Sequence, residues 1–128
     1  YPYLDFNRAF NDFLIALEMD STFADAYFQR AMVHFNRFRD AEGMNDLNKA
    51  LQLAPAYVYY LIARAHQHTL MQRYDDALND LNTALNKNAT EPELWFERGF
   101  YHAAKGKNLS ASQDSAQGFR LQKERRPE

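Results

Sequence analysis

The chain superimposes on itself every thirty-four residues, and that period constrains its fold more than any single residue does. Arg30-Ala31, Arg64-Ala65 and Arg98-Gly99 recur at the interval, as do His34, His68 and His102. Asn11-Asp12, Asn45-Asp46 and Asn79-Asp80 share it, and Gln113-Asp114 continues it with one conservative change. Ala16, Ala50, Ala84 and Gly118 form another column, and Ser21, Pro55 and Ala89 mark a turn. A period of this length means a stacked helical array, in which each unit buries its apolar face against its neighbours. Such arrays bind things rather than transform them.

Each block resolves into two helical patterns. Tyr74, Ala77, Leu78, Leu81, Ala84 and Leu85 have the i, i+3, i+4, i+7 spacing of one helix face over 74–87. Residues 40–53 repeat it with Met44, Leu47, Ala50 and Leu51, and residues 5–19 with Phe6, Ala9, Phe10, Phe13, Ala16 and Leu17. Further helices are expected at 24–37, 58–71 and 92–105, which brings the count to about seven with a last one from Asn108 to Lys123. Thr22-Phe23-Ala24-Asp25 and Thr90-Glu91-Pro92-Glu93 read as capping boxes, and Pro55 and Gly106 stand where helices should stop. Small residues at Ala31, Ala65 and Gly99, facing Gly43, Ala77 and Ala111, let helix axes approach closely.

These residues make the chain similar to tetratricopeptide repeat (TPR) proteins. The resemblance rests on the period, on Trp95-Phe96-Glu97-Arg98-Gly99-Phe100-Tyr101, on Tyr74-Asp75-Asp76-Ala77-Leu78 with Leu81 and Ala84, and on Pro55. It spans Phe6 to about Leu121; His34, His68 and His102 stand where the family usually has tyrosine, Gly43 where it has alanine, and Ser115 where it has a large apolar residue. It implies an all-α solenoid of antiparallel helix pairs wound as a right-handed superhelix. Residues 1–128 are then a single domain: 1–21 the second helix of a truncated repeat, 22–55, 56–89 and 90–123 repeats, the last with a terminal capping helix, and 124–128 a tail.

Composition closes several routes to function. A net charge of -2 and a pI near 6.1 argue against nucleic-acid or anionic-membrane partners, which want a basic face. No cysteine means no disulfide framework and no thiolate chemistry, and this suits a cytoplasmic location. No apolar run approaches the length of a membrane span. With four glycines there is no phosphate-cradling loop, no nucleophile–base–orienter set assembles, and no cofactor is expected. Residues one repeat apart lie about one helix-packing distance from each other, roughly 8–10 Å, so His34, His68 and His102 cannot share an ion. The adjacent His66 and His68 differ by two and point to different faces. The histidine column is therefore read as packing, and the arginine column as ion pairs from Arg30, Arg64 and Arg98 to Asp46, Asp80 and Asp114. The chain is read as no enzyme.

A second apolar stripe on the first helix of each repeat carries the functional content. Phe28, Met32 and Phe35 lie about 100° around the helix from the packing stripe of Tyr27, Ala31 and His34. Ile62 and His66, then Phe96 and Phe100, continue those columns, with Tyr59 one turn earlier. The resemblance places these columns on a concave face, bordered by Asp25, Glu93 and Glu97. It implies a mildly acidic, aromatic groove for a peptide or helix with apolar anchors and a basic residue facing Glu93 and Glu97. Two or three buried aromatic anchors gross about 10 kcal/mol, and association losses of at least about 4 kcal/mol leave micromolar-class affinity. The competing reading is that the rings pack between adjacent first helices, or that a flanking segment fills the groove. The family's lysine, arginine and asparagine clamp for acidic chaperone tails maps onto Phe28, Met32, Ala63, Glu93 and Glu97, which do not match, so chaperone-tail binding is not expected.

The two ends differ. The last helix is thin in apolar residues, as a terminal cap requires. The aromatic N-terminal helix, with Tyr1, Tyr3, Phe6, Phe10 and Phe13, leaves two further readings of a chain that opens without methionine. One is a fragment preceded by more repeats or by an enzyme for which it is a docking arm; the other is a homodimer pairing through that helix.

Overall fold

The computed structural model describes residues 23–55 and 57–125. Among them are six α-helices and no strand: α1 (Ala24–Asn36), α2 (Asp40–Leu53), α3 (Val58–Leu70), α4 (Tyr74–Lys87), α5 (Pro92–Ala104) and α6 (Asn108–Arg125). The helix expected over 5–19, and with it the proposed self-pairing face, lies outside the described residues. The chain divides into two compact units, Tyr1–Tyr60 and Leu61–Glu128, the division falling within α3. Helices α1 to α5 end within one residue of the bounds that periodicity predicts, and α6 runs to Arg125. Arg125 donates to the Glu91 carboxylate at 3.1 and 3.3 Å, which anchors the last turn of α6.

Every helix pair closes with the same turn. Arg39, Arg73 and Lys107 donate their backbone N–H to the carbonyls of His34, His68 and His102 at 2.9, 2.8 and 2.8 Å. Phe38, Gln72 and Gly106 donate to Phe35, Thr69 and Ala103 at 3.1, 3.1 and 3.0 Å, which completes a Schellman motif. The residue at its hinge has positive φ each time: 60° at Phe38, 62° at Gln72 and 77° at Gly106. Asp25, Asp40, Asp75 and Glu93 occupy first turns while His34, His68 and His102 occupy last turns, an order that matches the helix dipole.

Across each turn the arginine–aspartate ion pair forms as read. Arg30, Arg64 and Arg98 each fork onto Asp46, Asp80 and Asp114 through Nε and Nη2, at 2.6–2.9 Å. Arg30 and Arg98 also lie over the Tyr27 and Trp95 rings, at 5.8 and 4.9 Å from their centroids. Beneath these pairs Ala31, Leu47, Ala50, Ala65, Ala77, Leu81 and Ala84 are wholly buried. Of the two expected capping boxes, the one that opens at Thr22 begins outside the described residues, and the one at Thr90 is not formed. Glu91, not Thr90, is the N-cap of α5, and neither it nor Phe23 makes a side-chain cap bond. Thr90 instead gives both its N–H and its hydroxyl to Asn88 Oδ1, at 3.2 and 2.8 Å, a local turn that competes with capping.

Candidate functional site

In the first unit, Asp25, Phe28, Met32 and Phe35 follow one another along α1. Phe28 stacks on Tyr60 with centroids 4.8 Å apart, and Tyr60 meets Tyr57 edge-on at 4.6 Å. Tyr57 in turn meets Tyr59 at 5.7 Å, so Phe28 and Tyr59 belong to one aromatic chain. The Tyr60 hydroxyl lies 3.4 Å from Asp25 Oδ1; burial first, and then the Asp25 charge, push that phenol up to about 12. Phe35 leaves this cluster and lies over Gly43 on α2, where an added Cβ would come within 2.7 Å of the ring. Met32 is half-buried.

In the second unit, His66 on α3 stacks on Phe100 of α5 at 4.8 Å and 21°. Its Nδ1 donates to both carboxylate oxygens of Glu97, at 2.9 and 3.0 Å. That bond raises the imidazole above the usual histidine range although partial burial opposes it. Phe100 is 38% exposed, so the stack presents a flat, laterally supported edge. Phe96 turns inward onto Gly118 of α6, where a Cβ would lie 2.7 Å from its ring, and meets Phe119 edge-on at 5.0 Å. Glu93 lies against Glu91: a hydrogen bond between the two carboxyl groups, and then burial, hold Glu93 above the usual carboxylate range. Ile62 is half-buried.

Of the residues singled out from sequence, Asp25, Phe28 and Tyr59 thus gather around the Tyr57–Tyr60 pair, and His66, Glu97 and Phe100 gather around one stack. Phe35 and Phe96 pack on glycines of their own helix pairs. Sequence reasoning passed over Tyr57, Tyr60 and Phe119. The run Tyr57-Val58-Tyr59-Tyr60 carried a signal, three tyrosines opening a helix in a chain already rich in aromatics.

The histidine column sits beside the ion pairs, with Nε2 of His34, His68 and His102 at 3.5, 3.9 and 3.5 Å from the aspartate oxygens. Burial holds His68 and His102 below the usual range despite the neighbouring carboxylates. Among the described residues no three His, Cys, Asp or Glu side chains are placed to hold a metal ion, and no helix is long and apolar enough to cross a membrane.

No family model and no curated protein sequence matches this chain. Solved structures do. The crystal structure of MamA matches with a TM-score of 0.79 over 95% of this chain and 73% of that one, at 17% identity. A second MamA crystal structure gives 0.77 over 95% and 68%, also at 17% identity. The MamA RS-1 ArsTM double mutant gives 0.79 over 99% and 71%, at 14% identity. At these identities the likeness is one of fold, and it makes the chain an all-α helical-repeat solenoid.

Proposed function

We propose that this chain is a non-catalytic protein-interaction scaffold of the tetratricopeptide type, with repeats at 22–55, 56–89 and 90–123 and a terminal capping helix. Its ligand is a peptide or helix with apolar anchors, for which the candidate residues are Asp25, Phe28 and Tyr59 in the first unit and, separately, His66, Glu97 and Phe100 in the second. The observation that supports this reading best is the His66–Phe100 stack, pinned by Glu97. An exposed ring already fixed by a neighbour loses little side-chain freedom when a ligand covers it. With Phe35 and Phe96 committed to Gly43 and Gly118, fewer rings remain as anchors, and affinity falls at the weak end of the micromolar class. Acidic chaperone tails suit neither group of residues, since Asp25 stands in the first unit and Glu93 and Glu97 in the second.

The test is selection from a randomised peptide library displayed on phage, with the wild-type chain beside Phe100→Asp. The wild type should enrich peptides with apolar anchors while the variant, equally helical by circular dichroism, enriches none. Equal enrichment by both would remove the second-unit stack from the binding face.

A further inference from the structure

We infer that the proton on His66 and a basic side chain of the ligand compete for the Glu97 carboxylate. The second-unit stack then takes an apolar anchor flanked by lysine or arginine while His66 is neutral, and loses that preference when His66 is protonated. The peptide setting rests on the scaffold reading; the competition stands on three side chains of the second unit. His66 Nδ1 lies 2.9 and 3.0 Å from the two oxygens of Glu97, a contact that a neutral imidazole makes as a hydrogen bond and an imidazolium as an ion pair. The ring also stacks on Phe100 at 4.8 Å, a contact that needs no proton, so the anchor is present in both forms. The His66 and Glu97 side chains are 40% and 13% exposed and Phe100 is 38% exposed, which lets a ligand lying on the ring feel the charge beside it.

The proton decides that charge. With His66 protonated the pair is neutral; with His66 neutral, Glu97 leaves one net negative charge at the edge of an apolar surface, which favours a cation. Glu97, facing the imidazole from α5, is the charged group that acts on it, and its hydrogen bond raises His66 above the usual histidine range against the opposing effect of burial. The charges around the α3–α4 turn, Asp76, Asp80, Arg64 and Arg73, act on His68 instead. Glu93, one turn before Glu97, is bonded to Glu91. The change of charge therefore belongs to one residue pair and falls near neutral pH. The base that the sequence placed opposite Glu93 and Glu97 is thus assigned to Glu97. Linkage is reciprocal, so a basic ligand must in turn make His66 easier to deprotonate.

The experiment is an NMR titration of the full chain with acetyl-Phe-Lys-amide, beside acetyl-Phe-norleucine-amide, at about pH 5.5 and about pH 8.5, either side of the usual histidine value. Neither peptide titrates in that range. The lysine peptide should shift Glu97 and Phe100 saturably and bind about threefold more tightly at the higher pH, while the norleucine peptide binds equally at both. Saturation with the lysine peptide should move the His66 ring titration to lower pH. Glu97→Gln, whose amide still accepts from Nδ1, should abolish the pH dependence, and His66→Phe should keep the preference for lysine at both pH values. Equal affinity of the lysine peptide at the two pH values, an unmoved His66 titration, or pH dependence that survives in Glu97→Gln each overturns the competition. If the norleucine peptide still binds in those cases, the apolar anchor stands and only the competition falls. Failure of both peptides to bind also overturns it, and the phage selection with Phe100→Asp then judges the stack on its own.

Discussion

Phe38 and Gln72 occupy a backbone conformation that normally belongs to glycine. An L-residue in the left-handed region costs about 1–2 kcal/mol, and glycine gives part of that back as chain entropy. Phe38 is 92% exposed and Gln72 is exposed, so neither side chain contributes packing in compensation. Phe38→Gly and Gln72→Gly should each stabilise the chain by about 0.5–1 kcal/mol, and Gly106→Ala should cost about 1 kcal/mol. Urea denaturation checks this through the midpoint at unchanged slope, and a lower midpoint for either glycine variant would refute it. Gly106 was legible in the sequence as a helix stop. Its two counterparts were not, because closure of the helix pair imposes the turn on whatever residue stands there.

Among the elements, the fork between first and second helices is the tie most exposed to substitution. Asp80 is buried and Arg64 half-buried; removing the carboxylate takes from the guanidinium both hydrogen bonds of the fork. Asp80→Ala should cost about 3 kcal/mol, whereas the double replacement Arg64→Met with Asp80→Leu should recover most of that loss. Thermal or chemical denaturation of the three variants makes the comparison; a double variant as unstable as Asp80→Ala would assign the loss to packing instead. This pairing could be read from the sequence because its sixteen-residue offset recurs in every repeat. The fate of the phenylalanines could not. Phe35 lies on Gly43 and Phe96 on Gly118, a match of ring to missing side chain between positions eight and twenty-two residues apart. One period on, Phe35 gives way to Thr69 and Gly43 to Ala77, so the small partner enlarges where the large one shrinks. Periodicity shows each column separately and is blind to that exchange of volume.

Over the whole molecule, histidines of opposite sense set the response to acid. Burial depresses His68 and His102, so the unfolded chain takes up their protons first. Their contribution is complete above the unfolded value of about 6.5 and is lost as pH falls through the folded values. His66 is raised by Glu97, so its contribution is complete below about 6.5 and is lost as pH rises through its folded value. Between about pH 7.5 and about pH 5, His68→Tyr should therefore lose less stability than wild type, and His66→Phe should lose more. Melting temperatures at the two pH values test it, and parallel losses in all three proteins would show that neither histidine is linked to folding. The helical-repeat fold, which the MamA structures share, was legible at this scale because its signal is summed over the entire chain. The ligand's chemistry was not, since it depends on which side chains the packing has left unspent.

The arginine forks have a further consequence, for the speed of folding. Each joins residues only sixteen apart, within a single helix pair. Closing a loop of that order takes well under about a microsecond, and chains whose contacts are local fold early in the microsecond-to-second range of single domains. A helix pair can thus recognise itself before its neighbours arrive, and assembly can begin at any repeat and spread along the chain from there.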